Sequence, residues 1–152
     1  MGEKITDQTE DTSPTYDDVF LVTGDPGGTP VDRKIAIQSA VNTLEINAQT
    51  GTTYTLVLGD RAKMITMDNA STNTLTIPAN ASVAFPIGTC ILVKQKGAGV
   101  TSISGDTGVT VEGGGASVSA GTGAISNQYD VATCIKVAAD TWNLAGPVGT
   151  IA

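Results

Sequence analysis

The sequence predicts an all-β protein: an extended or hairpin N-terminal arm followed by a β-sandwich or barrel-like body. Three observations predict it. Thr, Val and Ile occur 23, 14 and 12 times among 152 residues, and these β-branched side chains fit a pleated sheet. The 18 glycines and 6 prolines fall mostly between short apolar runs, where turns need them. From Gly51 onward such runs recur at about 8–12 residues, the spacing of sandwiches and barrels.

The arm comes first. Residues 1–34 carry eight acids against three bases, a net of −5, whereas residues 35–152 carry seven against five, a net of −2. Val19-Phe20-Leu21-Val22 is a short strand candidate, and Asp25-Pro26-Gly27-Gly28 is a turn in which proline fixes φ and glycine permits φ > 0. Lys34-Ile35-Ala36-Ile37 can return as a second strand. Two strands alone have no core. The arm therefore reads either as an acidic tail or as a docking element that orders by adding strands to a partner's sheet. Residues 37–49 place Ile37, Ala40, Val41, Leu44 and Ala48 at helix-like spacings, so 41–50 is a linker or a short helix.

The body, 51–152, is a succession of strands. Tyr54–Leu58 ends at Gly59-Asp60, Met64–Met67 ends at Asp68-Asn69, and Thr74–Ile77 is stopped by Pro78. Ala81–Phe85 is a further candidate. Cys90–Lys94 is the most apolar run and reads as a central strand buried on both faces. Val100–Ile103 and Val109–Val111 follow. Thr133–Val137 and Thr141–Leu144 form a hairpin turning at Ala138-Ala139-Asp140. Gly113–Gly123 is either a flexible loop or a place where backbones approach closely.

The composition argues against most chemistry. With no histidine, the usual general base and commonest metal ligand are missing, and no Ser–His or Cys–His nucleophile pair can form. A pI near 4.2 does not suit a nucleic-acid surface. The polar, acidic start is unlike a signal peptide, and no apolar run approaches the ~20 residues of a membrane helix. The chain reads as a soluble protein made in a cytoplasm, inserted in no membrane. Cys90 and Cys134 lie in strand patterns and read as reduced, structural thiols, with a cross-strand disulfide as the alternative.

Asp60 with Asp68, and Asp106 with Glu112, are carboxylate pairs only in name, since each lies in a turn where solvated acids are common. Lys94 and Lys96, with Lys136 beside them, read as solvated or edge-protecting lysines. Asn69-Ala70-Ser71 and Asn80-Ala81-Ser82 match the glycosylation triplet, but that match is empty without a secretory signal. Tyr54, Tyr129 and Trp142 are the aromatic residues that could contact a glycan, although a tryptophan such as Trp142 is more often a core plug than a sugar platform. No catalytic, metal or cofactor site is expected. The residues point to a binding or structural module.

Lys4-Ile5-Thr6-Asp7, Pro14, Asp17-Asp18-Val19-Phe20-Leu21-Val22, Gly28-Thr29-Pro30 and Arg33-Lys34-Ile35-Ala36-Ile37 together resemble N-terminal segments of tailed-bacteriophage virion proteins. The body resembles the β-domain of phage fibre and decoration-type proteins, through Gly51–Leu58, Asp68–Ser71, Thr74–Pro78, Val83–Thr89 and Val93–Gly99. The resemblance implies a virion structural protein without enzymatic activity: a short tail fibre, an adaptor or a head-decoration fibre. Residues 1–40 would attach it to capsid or tail and baseplate proteins, with Ile5, Val19, Phe20, Val22, Ile35 and Ile37 as the anchoring side chains. It also implies a homotrimer, intertwined through the body, and a body this sparing of charge suits packing between copies. The alternative role is recognition of a host-surface glycan.

Overall fold

The computed structural model describes residues 19–23, 32–36 and 44–152. The chain divides into two units, Met1–Thr43 and Leu44–Ala152. In the first, β1 (Val19–Thr23) pairs antiparallel with β2 (Asp32–Ala36), Val19 opposite Ala36 and Thr23 opposite Asp32. Of the anchoring candidates, Val19, Phe20 and Val22 lie on β1 and Ile35 on β2. Ile5 and Ile37 lie outside the described residues.

The second unit opens with β3 (Glu45–Gln49) and β4 (Thr53–Thr55), then a 3-10 turn at Leu58–Asp60. Next come β5 (Lys63–Met67), β6 (Asn73–Ile77), β7 (Cys90–Gln95) and β8 (Thr101–Gly105). It ends with β9 (Thr110–Gly113), β10 (Ala116–Ser119), β11 (Thr122–Ala124), β12 (Val131–Ala138) and β13 (Thr141–Ala145). These strands form two sheets, a seven-stranded one in the order β10-β9-β13-β12-β7-β5-β3 and a four-stranded one in the order β11-β8-β6-β4.

From β3 to β8 the chain alternates between the sheets, and within each sheet successive strands are parallel. The first half of the body is thus wound in three stacked coils. Glu45 aligns with Lys63 and Met64 with Leu92, so the first coil advances 18 residues and the second 28. Backbone hydrogen bonds also stack the turns: Asp68 N–H donates to the Gln49 carbonyl and Lys96 N–H to the Met67 carbonyl, both at 2.8 Å. Gly97 and Gly99 are required there, because a Cβ on either would fall inside the backbone of Asn69 or Ser71. The later strands close the body. β9 and β10 form a hairpin, β11 adds antiparallel to β8, and the β12–β13 hairpin inserts between β7 and β9.

The two inner faces make one core. Leu56, Ile65, Met67, Leu75, Ile77, Ile91, Val93 and Ile103 are all completely buried. Their alternation with outward residues along each strand is the period of two that a pleat imposes. Trp142 closes the core against Phe85, edge to face with ring centroids 5.4 Å apart.

Several expectations are corrected in detail. Residues 45–49 are a strand, not linker or helix; β3 turns Asn47 and Gln49 inward and so inverts the usual apolar-in pattern. The Tyr54–Leu58 run is strand only to Thr55 and then bends into the 3-10 turn. Ala81–Phe85 is a turn, with Ser82 and Val83 N–H both bonded to the Ala79 carbonyl. The strand at Cys90 is central but buried on one face, since alternate residues reach the outside. Gly113–Gly123 contains β10 and part of β11, and Cβ atoms on Gly121 or Gly123 would meet Ile151 and Val118 or Val148 side chains. It is a region of close approach.

Candidate functional site

The two sheets differ in the chemistry they present to the outside. On the four-stranded sheet, register aligns Thr53, Thr74 and Ser102 in one row and Thr55, Thr76, Ser104 and Thr122 in the next. Ser104 and Thr122 hydroxyls are 2.8 Å apart. This face is a flat array of hydroxyl groups that water solvates well.

On the seven-stranded sheet, one outward row instead runs Ile46–Met64–Leu92–Thr133, flanked on one side by Cys90 and Ile135 and on the other by the mixed row Ala48–Thr66–Lys94–Val131. Ile46 is 61% exposed. At the Leu92 end the surface dips into an open cleft of about 450 Å³, lined mainly by apolar atoms of Leu44, Ala62, Cys90 and Leu92 with the stems of Arg61 and Lys63. Leu44, Val57 and Leu58 add further exposed apolar surface. β3 and β4 are the edges of their sheets, so the first coil also offers unpaired backbone donors and acceptors at the same end of the body.

Beneath that edge lies a polar cluster that the sequence reading missed. Asp60 is 2% exposed, not the solvated turn acid expected. Its carboxylate accepts from Asn47 Nδ2 at 2.8 Å, from the Tyr54 hydroxyl at 2.9 Å and from Val57 N–H at 2.8 Å. Asn47 Nδ2 also donates to the Tyr54 oxygen, and Gln49 Nε2 donates to Asn47 Oδ1. Burial, and then the bond to Asp60, raise the Tyr54 pKa above 10.0, with the bond from Asn47 opposing. The cluster is saturated with internal hydrogen bonds and braces the first coil.

The other acids also have local partners. Asp68 pairs with Lys96 at 2.8 Å, Asp106 caps Thr107 N–H at 2.7 Å, and Glu112 accepts from Ser117 at 3.3 Å. Among the described residues, no group of three or more His, Cys, Asp or Glu is placed to hold a metal ion, and no helix is long and apolar enough to cross a membrane.

The three aromatic candidates lie on separate elements. Tyr54 is half-buried on β4 with its hydroxyl engaged. Tyr129, between β11 and β12, is 64% exposed. Trp142 is 1% exposed, so it is the core plug and no sugar ring can reach its face. Lys136 is likewise not a solvated lysine: it is 2% exposed, with Nζ donating to Asn80 Oδ1 and the Phe85 carbonyl. Its partners lie more than fifty residues away in sequence, which no local pattern signals.

No protein-family model matches the chain, and no curated protein matches it significantly.

Proposed function

We propose that this chain is a non-enzymatic structural component of a phage particle, a homotrimeric surface appendage (tail fibre, adaptor or head-decoration fibre) attached through residues 1–40. The observation that carries the assembly part of this reading is the contrast between the two outer faces. A body that coats one sheet with hydroxyls and leaves an apolar strip of Ile46, Met64, Leu92, Cys90 and Ile135 at one end of the other has one face suited to water and one strip suited to burial against protein. A shared axis on which copies bring the apolar faces together would bury them.

The particle assignment rests on the sequence resemblance of arm and body. The paired β1–β2 strands are consistent with a docking element that extends a partner's sheet. Many copies per particle would supply avidity without a tight single site.

Immunogold electron microscopy of purified particles, with antibody raised against residues 51–152, tests the reading. Gold over the head means a decoration or head-fibre protein, and gold confined to the tail means a fibre or adaptor. Unlabelled particles overturn the virion assignment.

A further inference from the structure

Lys136 sits on the inner face of β12, opposite Trp142 on β13. Its Nζ lies 2.6 Å from Asn80 Oδ1 and 2.8 Å from the Phe85 carbonyl. Among the described residues the ion pairs are Lys63–Glu45 and Lys96–Asp68, so no carboxylate lies within ion-pair distance of Lys136. Burying a charged group against neutral partners alone is costly. Asn80 is held from its other side, where its backbone N–H donates to Asp140 Oδ1 at 2.6 Å.

A carbonyl bond is roughly 1.2 Å long, so an oxygen at 2.6 Å sets the Asn80 carboxamide carbon roughly 3–4 Å from Nζ, near the separation from which a held nucleophile attacks. Phe85 and Trp142, packed edge to face, lie beside Lys136, which pairs with Trp142 across the ladder and is 2% exposed.

We propose that Lys136 and Asn80 join in an intramolecular isopeptide bond. The Nζ lone pair, freed of one proton, adds to Cγ of Asn80. The adduct loses a second Nζ proton as the Cγ–Nδ2 bond breaks, and the departing nitrogen takes up both protons that Nζ gives up, leaving as ammonium. Overall, one lysine ammonium and one carboxamide become one secondary amide and one ammonium ion, so atoms and charge balance with no oxidant or cofactor. The product replaces a buried charge by a neutral amide. It also closes a covalent loop from Asn80 to Lys136, tying the connection between β6 and β7 to the centre of the large sheet. Such a cross-link acts as a disulfide does, by restricting the unfolded chain. The inference stands independently of the particle role.

Intact-mass measurement of the purified full-length protein tests it. The folded protein, fresh or after prolonged incubation, is expected to be lighter than its sequence by one ammonia. A tryptic digest should contain a branched peptide linking the Asn80 segment to an uncleaved Lys136. Lys136→Arg and Asn80→Ala should each retain the full mass of their own sequence. A wild-type chain that keeps its full mass overturns the proposal, whether or not the variants fold. Ammonia loss that persists in Lys136→Arg overturns it too, because the nitrogen then came from elsewhere.

Discussion

Cys90 and Cys134 lie on adjacent strands yet face opposite sides of the sheet. Cys90 stands opposite Ile135 and Cys134 opposite Ile91. Side chains paired across a ladder share a face and their sequence neighbours take the other, so Cys134 enters the core while Cys90 meets solvent. No disulfide can join them without turning a strand over.

Alkylation of the native protein should therefore label Cys90 alone, with Cys134 labelled only after denaturation. Mass spectrometry of the labelled peptides reads the result directly. Reductant should leave the melting temperature unchanged. Protection of both thiols would mean that Cys90 is covered by another copy of the chain or by a partner.

Alkaline stability follows from the same thiol. Burial, and secondarily the neighbouring Cys90, push the Cys134 pKa from 9.0 up to about 12. Below pH 9 the thiol is protonated in folded and unfolded chains alike, so its contribution is intact. As pH rises towards 12 only the unfolded chain ionises, and stability falls by about 1.4 kcal/mol per pH unit. Tyr54, also raised, acts in the same direction above pH 10. Urea unfolding across this range should give a shallower decline for Cys134→Ala than for the wild type.

The brace in the first coil should show an asymmetry. Tyr54→Phe removes one donor to Asp60 and should cost about 1 kcal/mol. Asp60→Ala leaves the Asn47, Tyr54 and Val57 donors facing a void and should cost about 3 kcal/mol. Denaturant titration orders the two, and equal losses would mean that water replaces the carboxylate.

Assembly through the apolar face predicts that Leu92→Lys or Ile46→Lys converts the oligomer to monomers in size-exclusion chromatography with light scattering. Thr76→Lys, on the hydroxyl face of the small sheet, should leave the oligomer intact. A wild-type chain that is monomeric at working concentration would remove the trimer from the proposal.

Deletion of residues 1–34 should leave a folded body, because Leu44–Ala152 is a compact unit of its own and, among the described residues, every buried apolar side chain of its core lies at Leu56 or later. If residues 1–40 are the attachment arm, the truncated protein should no longer join particles. Normal incorporation of the truncated chain would assign attachment to the body.

The strands with clean alternation were legible in the sequence. Asn73–Ile77 and the β12–β13 hairpin both show it, because a half-buried strand writes its two faces into neighbouring residues. β3 was not legible, since Asn47 and Gln49 point inward to the Asp60 cluster and remove the apolar beat. Ala81–Phe85 failed for the opposite reason: its apolar residues fill a turn that covers the core edge. Asp60 and Lys136 are not legible because charged side chains are rarely buried, and the partners that hold them, Asn47, Tyr54 and Val57 for Asp60 and Asn80 and Phe85 for Lys136, are assembled only by the folded chain. The parallel pairing of β3, β5 and β7 is also non-local, so strand content could be read but strand order could not.

The unequal coils have an evolutionary consequence. The second coil is longer than the first because it carries the Pro78–Thr89 connection, while the strands on either side keep the parallel register of their neighbours. Insertion into such a winding lengthens a bend without disturbing the ladder. Duplication of a whole coil would add a rung to both sheets and reproduce the same open edge at β3 and β4. Length in this architecture can therefore change by tandem copying of one supersecondary unit, leaving the closing strands β9–β13 as they are.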